Sequence, residues 1–180
     1  MRIIAGELKG RRLAAPPGND VRPTSDSLRE TLFNVLGDSV RGARVLDAFA
    51  GTGALGLEAI SRGAAQVVFI ESHRHAAALV HENVALCGAA DRCAIIRDTA
   101  ERALEDAIVG DPFDLVMLDP PYDYQPLAAA LGAAAQHLAA DGWLILEHAT
   151  RRALPAIDGA TAVRTIRSGD SALTIYGATG

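Results

Sequence analysis

The chain has 180 residues, a formal net charge of -5, and 49% hydrophobic and 22% charged residues. That length allows one domain with a real core and is short for two large ones. The balance is that of a globular protein rather than a disordered or fibrous one, and no apolar run approaches the ~20 residues of a membrane span.

The first apolar residues, Ile3 to Ala5, are too few for a secretion signal. Cys87 and Cys93 have neither metal-ligand spacing nor the density of a disulfide scaffold, and read as buried thiols of a cytoplasmic protein. Overall acidity weighs weakly against a nucleic-acid partner, but the charge is uneven. Residues 1–24 hold Arg2, Lys9, Arg11, Arg12 and Arg22 against Glu7 and Asp20. A basic arm on an acidic body can hold phosphates locally, although a solvated surface stretch is the plainer alternative. The expected division is an arm over residues 1–22 and a single domain over 23–180.

In chain order, Arg2–Ala5 and Arg11–Ala14 are expected as two short strands around Gly6 and Gly10, a hairpin or extended arm. Pro16–Asn19 ends it. A helix then follows Pro23, capped by Thr24, Ser25 or Ser27, with Leu28, Leu32, Val35 and Leu36 on one face and Gly37 at its end. From residue 44 strands and helices alternate. Strands are expected at Arg44–Ala48, Val67–Ile70, Cys93–Ile96, Phe113–Leu118 and Trp143–Glu147. Helices are expected at Ala54–Arg62, His73–Cys87, Thr99–Ile108 and Pro126–Ala139. This rhythm implies an α/β fold with a parallel sheet covered on both faces. The end departs from it: Thr161–Arg167 and Ala172–Tyr176 leave no room for a helix between them, so an antiparallel hairpin closes the sheet.

The first strand runs into Asp47-Ala48-Phe49-Ala50-Gly51-Thr52-Gly53 and then a helix. Such a turn lets backbone approach a ligand beyond the carboxyl ends of the strands. Gly51, Gly53 and Gly56 spell the dinucleotide spacing, so the glycines alone do not discriminate. Asp47 does more, because a carboxylate there suits an ammonium and repels a pyrophosphate. Glu71 ends the second strand, where an acid can accept ribose hydroxyls. Asp98 ends the third and could accept from an adenine amino group, or could cap the following helix. Three acids at three strand ends fit an adenosine with a cationic tail, of which S-adenosylmethionine is the obvious example.

The fourth strand ends in Asp119-Pro120-Pro121-Tyr122. Two prolines make a rigid extended turn and remove two N–H donors. What remains is a pair of acceptors, the Asp119 carboxylate and the Pro120 carbonyl, matched to the two hydrogens of one amino group. Tyr122 adds a flat face for stacking a base, worth roughly 1–3 kcal/mol. An exocyclic amine is a poor nucleophile because its lone pair is delocalised into the ring. Two fixed acceptors favour tetrahedral nitrogen and stabilise the charge that develops on it.

Asp47–Gly53 with Asp119–Tyr122 resembles the class I S-adenosylmethionine-dependent amino-methyltransferases. Arg2-Ile3-Ile4-Ala5-Gly6, Gly10-Arg11-Arg12-Leu13, Arg22-Pro23-Thr24-Ser25-Asp26, Arg29–Asn34 and Ala54–Ala59 narrow this to a resemblance, over essentially the whole chain, to the bacterial 16S ribosomal RNA guanine-N2 methyltransferases of the RsmD type. The resemblance implies a Rossmann-like seven-stranded sheet in the order 3-2-1-4-5-7-6 with an antiparallel seventh strand. It also implies S-adenosylmethionine as cofactor and no metal. The substrate would be a guanine of 16S RNA, in the 30S subunit or its assembly intermediate, and the enzyme a monomer. Asp119, Pro120, Pro121 and Tyr122 would be catalytic. Asp47, Phe49, Gly51, Gly53, Glu71 and Asp98, with Arg22 and Thr24, would hold the cofactor. Arg2, Lys9, Arg11 and Arg12 would hold RNA.

Two other readings stay open on sequence. The same turn occurs in DNA adenine and cytosine-N4 methyltransferases, and a related one in glutamine methyltransferases, although no separate base-reading domain is present. A nucleotide-binding module or nicotinamide dehydrogenase has only the glycine spacing in its favour.

Overall fold

The structure, a computed structural model, describes residues 1–16, 23–105 and 110–179, and of residues 23–25 the backbone alone. Twelve principal elements follow one another among the described residues: α1 (Pro23–Leu36), β1 (Arg44–Ala48), α2 (Ala54–Ser61), β2 (Gln66–Ile70), α3 (Arg74–Cys87), β3 (Cys93–Ile96), α4 (Ala100–Glu105), β4 (Phe113–Leu118), α5 (Leu127–Gln136), β5 (Leu138–Ala149), β6 (Ala160–Ser168) and β7 (Ser171–Ala178), the last two forming one hairpin. The strands make a single sheet in the order β3-β2-β1-β4-β5-β7-β6. Pairing is parallel from β3 to β5, and β7 runs antiparallel to both β5 and β6. Order and polarity are those expected.

Strand alternation sorts the core into two layers. On one face Val45, Phe69, Leu115, Met117, Ile145 and Leu173 pack under α1, α2 and α3, through side chains such as Leu32, Phe33, Leu57 and Val80. On the other, Leu46, Val68, Val116, Leu118 and Leu146 pack under α4 and α5. The chain order reverses between β1 and β4, so the crevice beyond their carboxyl ends is the topological switch point, where ligands of open α/β sheets bind. No helix among the described residues is long and apolar enough to cross a membrane.

Three local expectations change, and a fourth falls partly outside the described residues. The two N-terminal strands reduce to one bridge, Arg2 with Arg12. Cross-segment bonds remain from Ile3 N–H to the Arg11 carbonyl and from Leu13 N–H to that of Met1, but the N–H groups of Ile4 and Ala5 donate to the Glu58 carboxylate of α2, at 2.8 and 3.1 Å. The helix expected after Pro23 begins at that proline, whose fixed φ and missing N–H suit the first helical position. Thr24, Ser25 and Ser27 therefore lie inside α1, not at its cap. β5 starts five residues earlier than expected, because Leu138 pairs with Phe113 across a register shift. The third of the alternating helices, α4, is seen to Glu105, and its expected end at 106–108 lies outside the described residues.

The N-terminal segment is stitched to the sheet's helices. Ile3 and Leu13 are buried in the first core layer. Glu58, wholly buried, also pairs with Arg62 at 2.8 Å and with Arg29 at 3.8 Å. Ser61 accepts the N–H of Leu8 at 2.9 Å. Asn83 accepts from the Ala14 N–H at 2.7 Å, and its amide donates to the carbonyls of Ala14 and Thr52. That last bond ties the arm to the glycine turn.

Candidate active site

The turn after β1 is built tightly. Gly53 adopts φ 78° and precedes α2, and its N–H donates to the Ala50 carbonyl at 2.7 Å. A Cβ on Gly56 would fall 2.4 Å from the Phe69 ring, so the third glycine lets α2 lie on β2 and has no need of a ligand to explain it. Phe49 sits at φ 66°, a conformation costly for a bulky side chain and met mostly at functional sites. Its ring meets Tyr124 edge-on at 5.0 Å.

Asp47 is buried, and one carboxylate oxygen accepts the Gly56 N–H at 2.8 Å. Burial raises its pKa to about 8, with the nearby charges of Asp119 and Glu71 adding to the effect. Glu71, also buried, accepts the N–H of Gly51 on one oxygen and of His73 on the other, both at 2.8 Å. It thereby shapes the turn as well as facing it.

Asp98 is half-buried, accepts its neighbour's N–H from Thr99, and lies 3.8 Å from the Arg102 guanidinium. Thr99 rather than Asp98 takes the capping position of α4, receiving the Arg102 N–H at 3.4 Å. Phe49, Glu71, Asp98, Glu101 and Tyr124 line one cleft of about 90 Å³. Two buried polar atoms of that lining, the Tyr124 hydroxyl and a Glu101 carboxylate oxygen, have no hydrogen-bond partner among the described residues. Unpaired buried polar atoms are uncommon and expensive, and a polar ligand in the cleft relieves both. The sequence reading missed Tyr124 and Glu101. Their signal, an aromatic two residues past the Pro-Pro turn and an acid in the helix after Asp98, is weak without a cleft to join them.

Asp119 follows β4, its N–H directed at the Ala48 carbonyl at the end of β1 (3.5 Å). Its carboxylate remains open to solvent yet is ringed by protein, and this desolvation raises its pKa to about 6. It makes no hydrogen bond with a described residue, and the Pro120 carbonyl likewise accepts none. The Pro121 carbonyl is spent on the turn, accepting from the Tyr124 N–H at 2.9 Å. Both acceptors expected at this turn are thus free.

Tyr122 is 42% exposed, with its hydroxyl hydrogen-bonded to Ser171 at the start of β7. Arg152, just past β5, clamps the turn from behind by donating to the carbonyls of Tyr122 (2.6 Å) and Tyr124. Sequence reasoning missed Arg152, because nothing in its neighbourhood shows that a residue 30 positions away reaches the Pro-Pro turn.

Among the residues expected to hold RNA, Arg2, Lys9 and Arg12 are exposed and bond no described residue through their side chains. Arg11 donates to the Leu86 carbonyl near the end of α3. Arg22 lies outside the described residues, as does the side chain of Thr24.

Asp47, Glu71, Asp119 and Glu147 therefore gather at the carboxyl edge of the sheet, and none of the four is ion-paired among the described residues. An acid-lined crevice with unpaired polar atoms fits a phosphate-free, cationic adenosine derivative. Sheet order, glycine turn and Asp-Pro-Pro-Tyr turn together define a class I S-adenosylmethionine-dependent methyltransferase.

Comparison with known proteins narrows the class. The family described as Conserved hypothetical protein 95 matches residues 1–177, and the chain belongs to it; this is the RsmD family. It is 38% identical to YlbH of Bacillus subtilis strain 168 over 162 residues, 88% of each chain. It is 42% identical to ribosomal RNA small subunit methyltransferase D of Escherichia coli K12 over 122 residues, 68% of this chain and 60% of that one. The solved structure of YhhF from Escherichia coli superposes with a TM-score of 0.88 at 34% identity, covering 99% of this chain and 97% of the other.

Proposed function

We propose that this enzyme methylates the exocyclic N2 amino group of one guanine in 16S ribosomal RNA, in the 30S subunit or a particle on the way to it. The observation that carries the reading is the pair of free acceptors, the Asp119 carboxylate and the Pro120 carbonyl, held at the switch point beside the acid-lined crevice. The name of the Escherichia coli relative supports ribosomal RNA of the small subunit as the target.

S-adenosylmethionine, when bound, would supply a methyl group on a sulfonium, the methyl–sulfur bond breaking to leave S-adenosylhomocysteine as a neutral thioether. Asp47 would hold the ammonium end of that ligand, and Glu71 and Asp98 would hold its sugar and base. Asp119 and the Pro120 carbonyl accept the two amine hydrogens, which turns the nitrogen lone pair out of conjugation toward the crevice. Positive charge grows on nitrogen as the new bond forms, and the fixed carboxylate stabilises it without reorganising. The proton that must leave afterwards is already hydrogen-bonded to Asp119, whose raised pKa makes it a competent acceptor near neutrality. Tyr122, braced by Ser171, stacks on a base withdrawn from its helix. Arg2, Lys9 and Arg12 on the docked arm supply cations for RNA phosphates.

The test is methyl transfer from labelled S-adenosylmethionine to unmodified 30S particles and naked 16S RNA, with nucleoside analysis. N2-methylguanosine is the expected product. Label in adenine, cytosine or protein would overturn the target while leaving the methyltransferase.

A further inference from the structure

Glu147 is the acid at the site that has no role in the scheme above. Leu118 of β4 and Leu146 of β5 are register partners, so Asp119 and Glu147 follow side by side on adjacent parallel strands. Alternation puts both on the face that carries Met117 and Ile145, the face of Asp47. On its other side Glu147 pairs with Leu173 of β7, two residues from Ser171, which anchors the Tyr122 hydroxyl. Glu147 thus stands between the amine-holding carboxylate and the foot of the stacking ring.

Its surroundings give it no structural occupation. It is half-buried and makes no hydrogen bond or ion pair with a described residue. Burial and the Asp119 charge together push its pKa to about 7, so an uncharged residue would be more comfortable there. A second carboxylate beside Asp119 costs stability, and its oxygens, which no described residue engages, are available to a donor on a bound base.

Guanine supplies one. Its Watson–Crick edge carries an N1–H donor next to the N2 amine, whereas adenine and cytosine present an acceptor beside theirs. We propose that Glu147 is a specificity-determining residue whose carboxylate accepts the N1–H of the target guanine while Asp119 and the Pro120 carbonyl hold its N2 amine. The inference rests on the guanine-N2 reading and adds how that base is chosen. Above about pH 7, where Glu147 is ionised, its carboxylate would meet a ring-nitrogen lone pair on adenine or cytosine, and both would be left unpaired, the arrangement that rejects a wrong base most strongly.

The experiment uses the full chain and 16S RNA carrying either guanine or 2-aminopurine at the modified position. 2-Aminopurine keeps the N2 amine, lacks O6 and converts N1 from donor to acceptor, so the N1 contact is read from the difference between wild type and Glu147→Gln rather than from the wild-type ratio alone. Wild-type enzyme is expected to methylate guanine roughly 100-fold faster. Glu147→Gln, whose amide can donate as well as accept, should bring that ratio to within several-fold, with unchanged S-adenosylhomocysteine affinity. Glu147→Asp, which keeps the charge, should retain most of the preference and guards against a general effect of altering the position. A guanine preference equally large in wild type and Glu147→Gln, or absent in wild type, overturns the role of Glu147 while N2-methylguanosine formation still stands. Failure of wild type to form N2-methylguanosine at all overturns the functional reading, and this inference with it.

Discussion

Replacing Asp119 by asparagine separates the chemistry of the site from its stability. The amide keeps the size of the side chain but loses the charge that complements a nitrogen becoming cationic. Removing one such preorganised group elsewhere costs about 10²–10³ in rate, or about 2.7–4 kcal/mol, and that is the loss expected in single-turnover methyl transfer. Cofactor affinity should hardly change, because Asp119 only adds to the negative field at Asp47.

Stability should move the other way. The Asp119 carboxylate has no partner to orphan among the described residues. Its pKa is raised from 3.8 to about 6 by desolvation, so the folded state holds its proton more tightly than the unfolded chain does. Stability is therefore lost as pH rises from about 3.8 through about 6, and the penalty is constant above that. The variant escapes it. Solvent screening of an accessible group limits the gain to under about 1 kcal/mol, or roughly 1–4 °C in Tm for a chain of this size. The gain should be largest at pH 8 and smaller at pH 5. Turnover within a few-fold of wild type, or a Tm lowered equally at both pH values, would refute the assignment and mark Asp119 as structural.

Glu58→Ala should destabilise by about 3–5 kcal/mol in urea unfolding, since it leaves the buried Arg29 guanidinium short of an acid and the Ile4 and Ala5 N–H groups unpaired. A loss below about 1 kcal/mol would mean that Ile3 and Leu13, with the Ser61 and Asn83 bonds, dock the arm without Glu58. Arg152→Ala should lower kcat about tenfold, at roughly 1.4 kcal/mol per decade, and leave the cofactor Kd alone. Lysine should rescue it poorly, because two carbonyls need a forked donor; unchanged kinetics would dismiss the clamp. Asp47, with a pKa of about 8, is protonated in the free enzyme at pH 7. Binding the ammonium of S-adenosylhomocysteine should then release a proton, and affinity should rise with pH up to about 8. Calorimetry in two buffers of different ionisation heat checks this, and absence of proton release in wild type at pH 7 would sink it.

Much of this was legible in the chain. Strand runs such as Arg44–Ala48 and Phe113–Leu118 are bounded by their own apolar content and by the residues that end them, and they appear with those limits. Glycines and prolines are equally readable, because their effect is local and steric. Caps and paired arms were less so. The N-terminal segments pair antiparallel only around Arg2 and Arg12, and the Ile4 and Ala5 N–H groups go to a carboxylate 54 residues from Ile4, a contact that neighbouring residues do not announce.

By itself the sequence determined the alternation of elements, the turn after β1, the acid at each strand end and the two free acceptors of the Pro-Pro turn, all consequences of neighbouring residues. Only the tertiary structure decided which distant groups share a site. Register brought Glu147 beside Asp119, the cleft joined Tyr124 and Glu101 to Asp98, Arg152 found two carbonyls about thirty residues back, and Asn83 bound the arm to the glycine turn. Those contacts depend on strand order and packing, which no local pattern encodes, and they set the burial that raises the pKa values on which the chemistry depends.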